Sequence, residues 1–257
     1  MKSRPSQEQR PKEAIVLVAG SGERLRPLTA DCPKCLIEVA GQSLLKRLLE
    51  QLEEVGIERV VLATGYLHDV LVAQIDEWNL SLAIEAIENT DYDQSNNAVS
   101  LKLAIQGLSQ DRFLLCDGDI LLRHSQPLKR LIATPRDNVL SVMRFETMGG
   151  EEMKVIIDDE SGRICELGKS LNPERADGES LGIQMIGPSA FSPLVERLAT
   201  LDEKERRQMY YEDVFAELID GDIDFFGCEL PVGGWTEIDT AQDLKEAREM
   251  AARWAGC

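Results

Sequence analysis

The sequence predicts an α/β fold built on a largely parallel sheet. Short runs rich in branched apolar residues recur along the chain, and stretches with helical spacing alternate with them, which is the pattern of βαβ units. At 257 residues the chain can bury a sizeable core as one large domain or two small ones. No repeat, low-complexity tract or linker divides it.

Residues 1–13 are polar and contain prolines, the composition of a mobile tail, so a single domain at 13–257 is placed behind a tail of 1–12. Residues 14–19 are apolar throughout, as in a strand buried on both faces. Apolar positions 44, 45, 48, 49, 52 and 55 mark an amphipathic helix over 43–55, and Gly56 suits its end. A buried strand follows at 59–64, a helix at 68–78, a strand at 82–88, a helix at 98–107 and a strand at 112–116. After 139–144 the rhythm changes. Residues 153–157 and 163–167 read as short strands joined by Asp158-Asp159-Glu160-Ser161-Gly162, which predicts a hairpin flap. Strand 181–186, helices 188–200 and 211–220, and strand 224–229 complete the pattern. Thr240 and Asp243 have the spacing of a capping box opening a last helix that runs to about Trp254.

A formal charge of −18 argues against nucleic acid as a partner, because a phosphate backbone needs a basic footprint. No apolar run is long enough to span a bilayer and the N-terminus lacks a signal-peptide core, so no membrane is expected as a partner and the cytoplasm is the expected compartment. The six cysteines are scattered, as reduced thiols are. Cys32 and Cys35 form a CxxC, but no second CxxC or histidine pair accompanies it.

An acidic protein that handles anions must concentrate its few cations, and this one does so at one place. The strand at 14–19 ends in Gly20-Ser21-Gly22, a turn whose backbone N–H groups can approach an anion with no Cβ in the way. Arg24, Arg26 and Lys34 follow at once. The expectation is a triphosphate site, although neither a P-loop Gly-Lys-Ser/Thr nor the third Rossmann glycine is present. A triphosphate is ordinarily bound with a divalent cation that neutralises it, and magnesium prefers one or two carboxylates. Asp117-Gly118-Asp119 would sit at the carboxyl end of a strand, where open α/β sheets place ligands. Glu237 and Asp239 lie near the start of the last helix. The two histidines, His68 and His124, have no nucleophile beside them, which suits attack by an already anionic phosphate without a general base.

With Arg24, Pro27-Leu28-Thr29, Pro33-Lys34, the Gly118-Asp119 pair and the late Trp235, Glu237, Asp239 and Thr240, the chain resembles the nucleotidyltransferase family that couples an NTP to a phosphorylated small molecule. The resemblance implies the nucleotide-diphospho-sugar transferase fold, a Rossmann-like three-layer sandwich with a mixed, mostly parallel sheet and a small hairpin flap. It implies catalytic roles for Lys34 and Arg24, and nucleotide contacts from Ala19, Gly20, Ser21, Gly22, Asn97 and Asp117. It makes Asp119 the first magnesium ligand, with Asp239 preferred as the second and Glu237 as its rival.

Asn96-Asn97 with Ser100-Leu101, Glu166-Leu167-Gly168-Lys169, the segment 178–183 and Tyr210-Tyr211-Glu212-Asp213 resemble the phosphocholine cytidylyltransferase branch. The asparagines could equally cap a helix. The branch implies that Lys169 binds the acceptor phosphate and that Glu179, Tyr211 and Glu212, with Tyr210, hold the acceptor, through cation–π and ionic contacts if it carries a quaternary ammonium. Ser180 departs from the branch, which often has an aromatic residue there, and keeps phosphonate, amino-alcohol phosphate and polyol phosphate acceptors open. The expected reaction joins CTP to a phosphorylated acceptor, giving a CDP- or CMP-linked product and pyrophosphate. A sugar 1-phosphate with UTP, dTTP or GTP is the first alternative, and a silent nucleotide-binding regulatory subunit the second. A homodimer stays open.

Overall fold

Strands β1 (Glu13–Leu17), β2 (Glu38–Val39), β3 (Gln42–Ser43), β4 (Arg59–Thr64), β5 (Ala83–Glu88), β6 (Phe113–Asp117) and β7 (Ile120–Leu122) make up the first half of the chain. Strands β8 (Val139–Met143), β9 (Lys154–Ile157), β10 (Ile164–Gly168), β11 (Gly178–Ile186), β12 (Phe226–Glu229) and β13 (Trp235–Glu237) follow. Between them lie helices α1 (Leu44–Glu54), α2 (His68–Asp76), α3 (Asn97–Ala104), α4 (Gln126–Ala133), α5 (Pro188–Ala199), α6 (Glu203–Gln208), α7 (Tyr211–Asp220) and α8 (Ala241–Ala255). The computed structural model describes residues 10–144 and 152–255. Most of the expected tail, residues 1–9, lies outside the described residues.

The main sheet has nine strands. β5, β4, β1 and β6 lie side by side and parallel, β11 runs antiparallel between β6 and β8, and β12 is parallel to β8. The chain steps outward from β1 to β4 and β5, then crosses back through α3 to place β6 on the other side of β1. The carboxyl ends of β1 and β6 therefore border the crevice at which the strand order reverses. β9 and β10 form the expected hairpin and attach to the first residues of β11.

Alternation along β1 explains why the sheet is covered on both sides. Ala14 and Val16 pack with Leu45, Leu48, Leu49 and Leu52 of α1, while Ile15 and Leu17 pack with Val99, Leu101 and Phe215 from α3 and α7. The three-layer α/β architecture follows. A smaller third core joins Leu25 and Ile37 of the glycine-rich loop to Leu121, Ile238 and Leu244. This core fixes the loop against β7, α8 and the residue that follows β13.

Several boundaries differ from expectation. Glu13 already belongs to β1, which runs Glu13–Leu17 against the expected 14–19: it is 3% exposed and accepts bonds from Arg59 Nη1 at 2.7 Å and from the N–H groups of Ser109 and Gln110 at 2.8 Å. Burial alone would raise its carboxyl, but these donors, led by Arg59, outweigh it and hold the group below the usual range. The helix expected at 98–107 ends as a 3-10 turn over Ile105–Gly107. The segment just before the last helix lies where it is expected, and its first three residues form β13, an antiparallel partner of β7. Among the described residues no helix is long and apolar enough to cross a membrane.

Candidate active site

The loop beyond β1 is shaped by its own sequence. Gly22 has φ +62°, and a Cβ there would meet the Lys34 Cβ and the Thr29 methyl at 3.0 Å, so only glycine lets Lys34 pack across the turn. Thr29 Oγ1 donates to Gly22 O at 2.8 Å and locks the bend. Gly20 faces open space at the mouth of a 590 Å³ cavity also lined by Ser21, Gly22, Arg24, Arg26, Lys34, Tyr66, Tyr92 and Asp119.

Lys34 is the meeting point. Its Nζ donates to Asp119 Oδ2 at 2.7 Å and to Asp239 Oδ1 at 2.5 Å, while Arg24 Nη2 donates to Asp239 Oδ2 at 2.7 Å. Burial on its own would push the Lys34 ammonium down, but the two carboxylates outweigh it and hold it above its ordinary value. The same pairing works on Asp239: burial would raise it, and Lys34 and Arg24 keep it below the usual carboxylate range. Two short elements bring the acids together. Asp119 follows β6, and the β7–β13 ladder pairs Ile120 with Glu237 while Ile238 N donates to Asp119 O at 3.1 Å. The Thr240–Asp243 capping box forms as expected, and Asp243 Oδ2 also accepts from Asp239 N at 3.0 Å.

Asp119, Glu237 and Asp239 each offer an oxygen within 4.8 Å of the others. Asp119 Oδ1 is buried with no hydrogen-bond partner. Glu237 stands at the rim, open on one side, yet the protein around it and then Asp119 and Asp239 push its carboxyl up to about 8. Three carboxylates that bring hard oxygen donors together, among them the unpartnered Asp119 Oδ1, suit a cation of the magnesium class once Lys34 gives way.

A second cavity of 490 Å³ shares Gly20, Arg24, Tyr92, Asp119 and Asp239 with the first and continues past Asn97, Lys169, Glu179, Tyr210 and Glu212. Ala19 and Asp117 line it as well. Lys169 Nζ lies 3.9 Å above the Tyr210 ring centroid, a cation–π contact. Burial and then Glu152 push the Glu179 carboxyl up to about 7, against the opposing charge of Lys154. Glu212, pushed up by burial, also reaches about 7.

One predicted residue has another duty here. Tyr211 is fully buried and does not reach the cavity; its hydroxyl donates to Asp117 Oδ2 at 3.0 Å and its N–H to Asn97 Oδ1 at 2.8 Å. It supports Asp117 from beneath, and of the two adjacent tyrosines it is Tyr210 that lines the cavity. The reason is helix geometry, since α7 turns residue 211 inward and 212 to the wall. Asn96 caps α3, its side chain accepting from Asn97 N at 2.8 Å. Tyr92 and Glu152, which line the second cavity, carry no motif that would single them out in the sequence. Cys32 and Cys35 are both free thiols.

A family model described as nucleotidyl transferase matches residues 13–253. A bifunctional IPC transferase and DIPP synthase from Rubrobacter xylanophilus is 30% identical over 94% of this chain, which spans about half (52%) of that relative. A 2-aminoethylphosphonate cytidylyltransferase from Lancefieldella rimae is 30% identical over 90% of this chain and 89% of its own. Among solved structures, the inositol-1-phosphate CTP transferase from T. maritima superposes with a TM-score of 0.77 at 25% identity, covering 95% of this chain and 96% of that one.

Proposed function

Because the chain belongs to the nucleotidyl transferase family, we propose that it transfers the cytidylyl group of CTP to the phosphate or phosphonate of a small molecule and releases pyrophosphate. One observation carries this: Lys34 meets Asp119 and Asp239, 85 and 205 residues away, where the two cavities join. The choice of CTP is supported by relatives named for cytidylyl transfer.

In this reaction an acceptor oxygen attacks the α-phosphorus of CTP. The new P–O bond forms as the bond from the α-phosphorus to the oxygen bridging to the β-phosphate breaks, and that electron pair leaves with pyrophosphate. The attacking oxygen is already anionic near neutral pH, so positioning and charge stabilisation suffice. Lys34 and Arg24 exchange their carboxylate partners for phosphate oxygens and stabilise the charge that builds there. Gly20 and Gly22 leave the backbone open to the triphosphate, and Lys169 takes the acceptor phosphate. Asp119 and Asp239, with Glu237 beside them, would hold magnesium, which when bound neutralises the triphosphate.

The test is pyrophosphate release from CTP, UTP, dTTP and GTP with magnesium and a panel of phosphorylated acceptors. CTP should lead by at least about tenfold, a gap of ~1.4 kcal/mol in transition-state binding. A clear UTP preference would overturn the base assignment. Calorimetric binding of CTP with no product from any acceptor would favour a silent nucleotide-binding subunit.

A further inference from the structure

We infer that the acceptor carries a primary ammonium group, held by Glu179 and Glu212 in the cavity that presents Lys169 to its phosphate; this rests on the nucleotidyl-transfer reading above.

The cavity wall is short of positive charge. Glu212 is only 8% exposed and lines the cavity, yet its Oε2 has no hydrogen-bond partner. Glu152, on the same wall, buries its Oε2 without a partner too. The cations on that wall already have contacts: Arg24 is on Asp239, and Lys169 lies over Tyr210. Lys154, next to Glu179, is 1% exposed and donates to the carbonyls of Lys169 and Glu152 at 2.7 and 3.1 Å. Carboxylates removed from water are stable only when well paired, and here burial pushes Glu179 and Glu212 up to about 7 against the opposing charges of Lys154 and Lys169, while Glu212 Oε2 stays without a hydrogen-bond donor. An acceptor that brings only a phosphate adds further negative charge to this wall. One that brings an ammonium at its far end repairs it.

The kind of ammonium follows from the aromatics. A quaternary nitrogen has no N–H and relies on aromatic faces, whereas a primary ammonium donates three hydrogen bonds. Tyr92 and Tyr210 are the described aromatic residues on this cavity, and Lys169 already covers the Tyr210 ring at 3.9 Å. Unsatisfied carboxylate oxygens ask for N–H donors. Polyol hydroxyls could satisfy those oxygens but would leave the charge in place.

The experiment compares kcat/KM for phosphoethanolamine, 2-aminoethylphosphonate, phosphocholine, ethyl phosphate and glycerol 3-phosphate at saturating CTP. One of the two primary amines should exceed phosphocholine by at least about tenfold and ethyl phosphate by about a hundredfold, and the better of the two tells phosphate from phosphonate. In Glu212→Gln, and separately in Glu179→Gln, the preference for that amine over ethyl phosphate should fall by about tenfold or more. A merely structural role would lower both substrates together and leave the ratio unchanged. Equal or better turnover of phosphocholine, ethyl phosphate or glycerol 3-phosphate, or an unchanged ratio in both variants, overturns the assignment alone. No pyrophosphate from any acceptor with any nucleotide overturns the transfer reading itself, and this assignment with it.

Discussion

Replacing Lys34 by alanine should move metal affinity and catalysis in opposite directions. In the free protein the Lys34 ammonium sits between Asp119 and Asp239, so a divalent cation must first displace it. A hydrogen bond to a charged group contributes about 1.5–3 kcal/mol. The Lys34, Asp119 and Asp239 side chains are 14%, 24% and 28% exposed, and that screening brings the two contacts together to about 2–3 kcal/mol. At ~1.4 kcal/mol per tenfold, Lys34→Ala should bind Mn²⁺ in the absence of nucleotide roughly 30–140-fold more tightly, as read by calorimetry or electron paramagnetic resonance. Its kcat/KM with CTP should fall about 10²–10³-fold, the usual loss when one preorganised charge stabiliser is removed. Unchanged or weaker Mn²⁺ binding would refute the competition, and near-normal turnover would remove Lys34 from the reaction.

Glu13→Gln should lose about 1–3 kcal/mol at pH 7, because the Arg59 and N–H donors of Ser109 and Gln110 keep a weaker acceptor. A carboxyl held low in the fold stabilises above its unfolded value of about 4.3, and that contribution fades as pH falls through the lower folded value. The wild-type and variant urea midpoints should therefore converge in acid, and a constant gap would refute the linkage. Gly182→Ala would set a Cβ 2.1 Å from Asp117 Oδ2, so it should cost about 1–3 kcal/mol by thermal melting and raise the acceptor KM; a variant like the wild type in both would show that Asp117 can move freely. Tyr211→Phe should cost about 1–2 kcal/mol through the lost bond to Asp117 and should not alter discrimination between charged and neutral acceptors; a changed preference would return Tyr211 to the acceptor site.

Much of the scaffold was legible because the strands that line the crevice are continuous apolar runs. β4 matches its expected span of 59–64, and residues 14–17 of β1 could scarcely be anything else. The acids were legible too, since Gly118-Asp119 and Glu237-Ile238-Asp239 stand out beside a buried strand and a capping box. What brings them together was not. β7 and β13 are three residues each, too short to show a period, and their pairing is a long-range event. The wall of the second cavity was half legible: Lys169, Glu179 and Glu212 stand out by the resemblance, but which of two adjacent tyrosines faces the cavity depends on how α7 is rotated against Asp117. Spacing within Tyr210-Tyr211-Glu212 does not encode that rotation. Glu152 and Tyr92 gain their place only from the folded cavity.

The most direct test is anomalous diffraction from crystals soaked with CTP and Mn²⁺. The central claim predicts one manganese peak bonded to carboxylate oxygens of both Asp119 and Asp239, with the Lys34 ammonium moved onto the triphosphate. A peak elsewhere, with Lys34 still held between the two acids while CTP is bound, would contradict it.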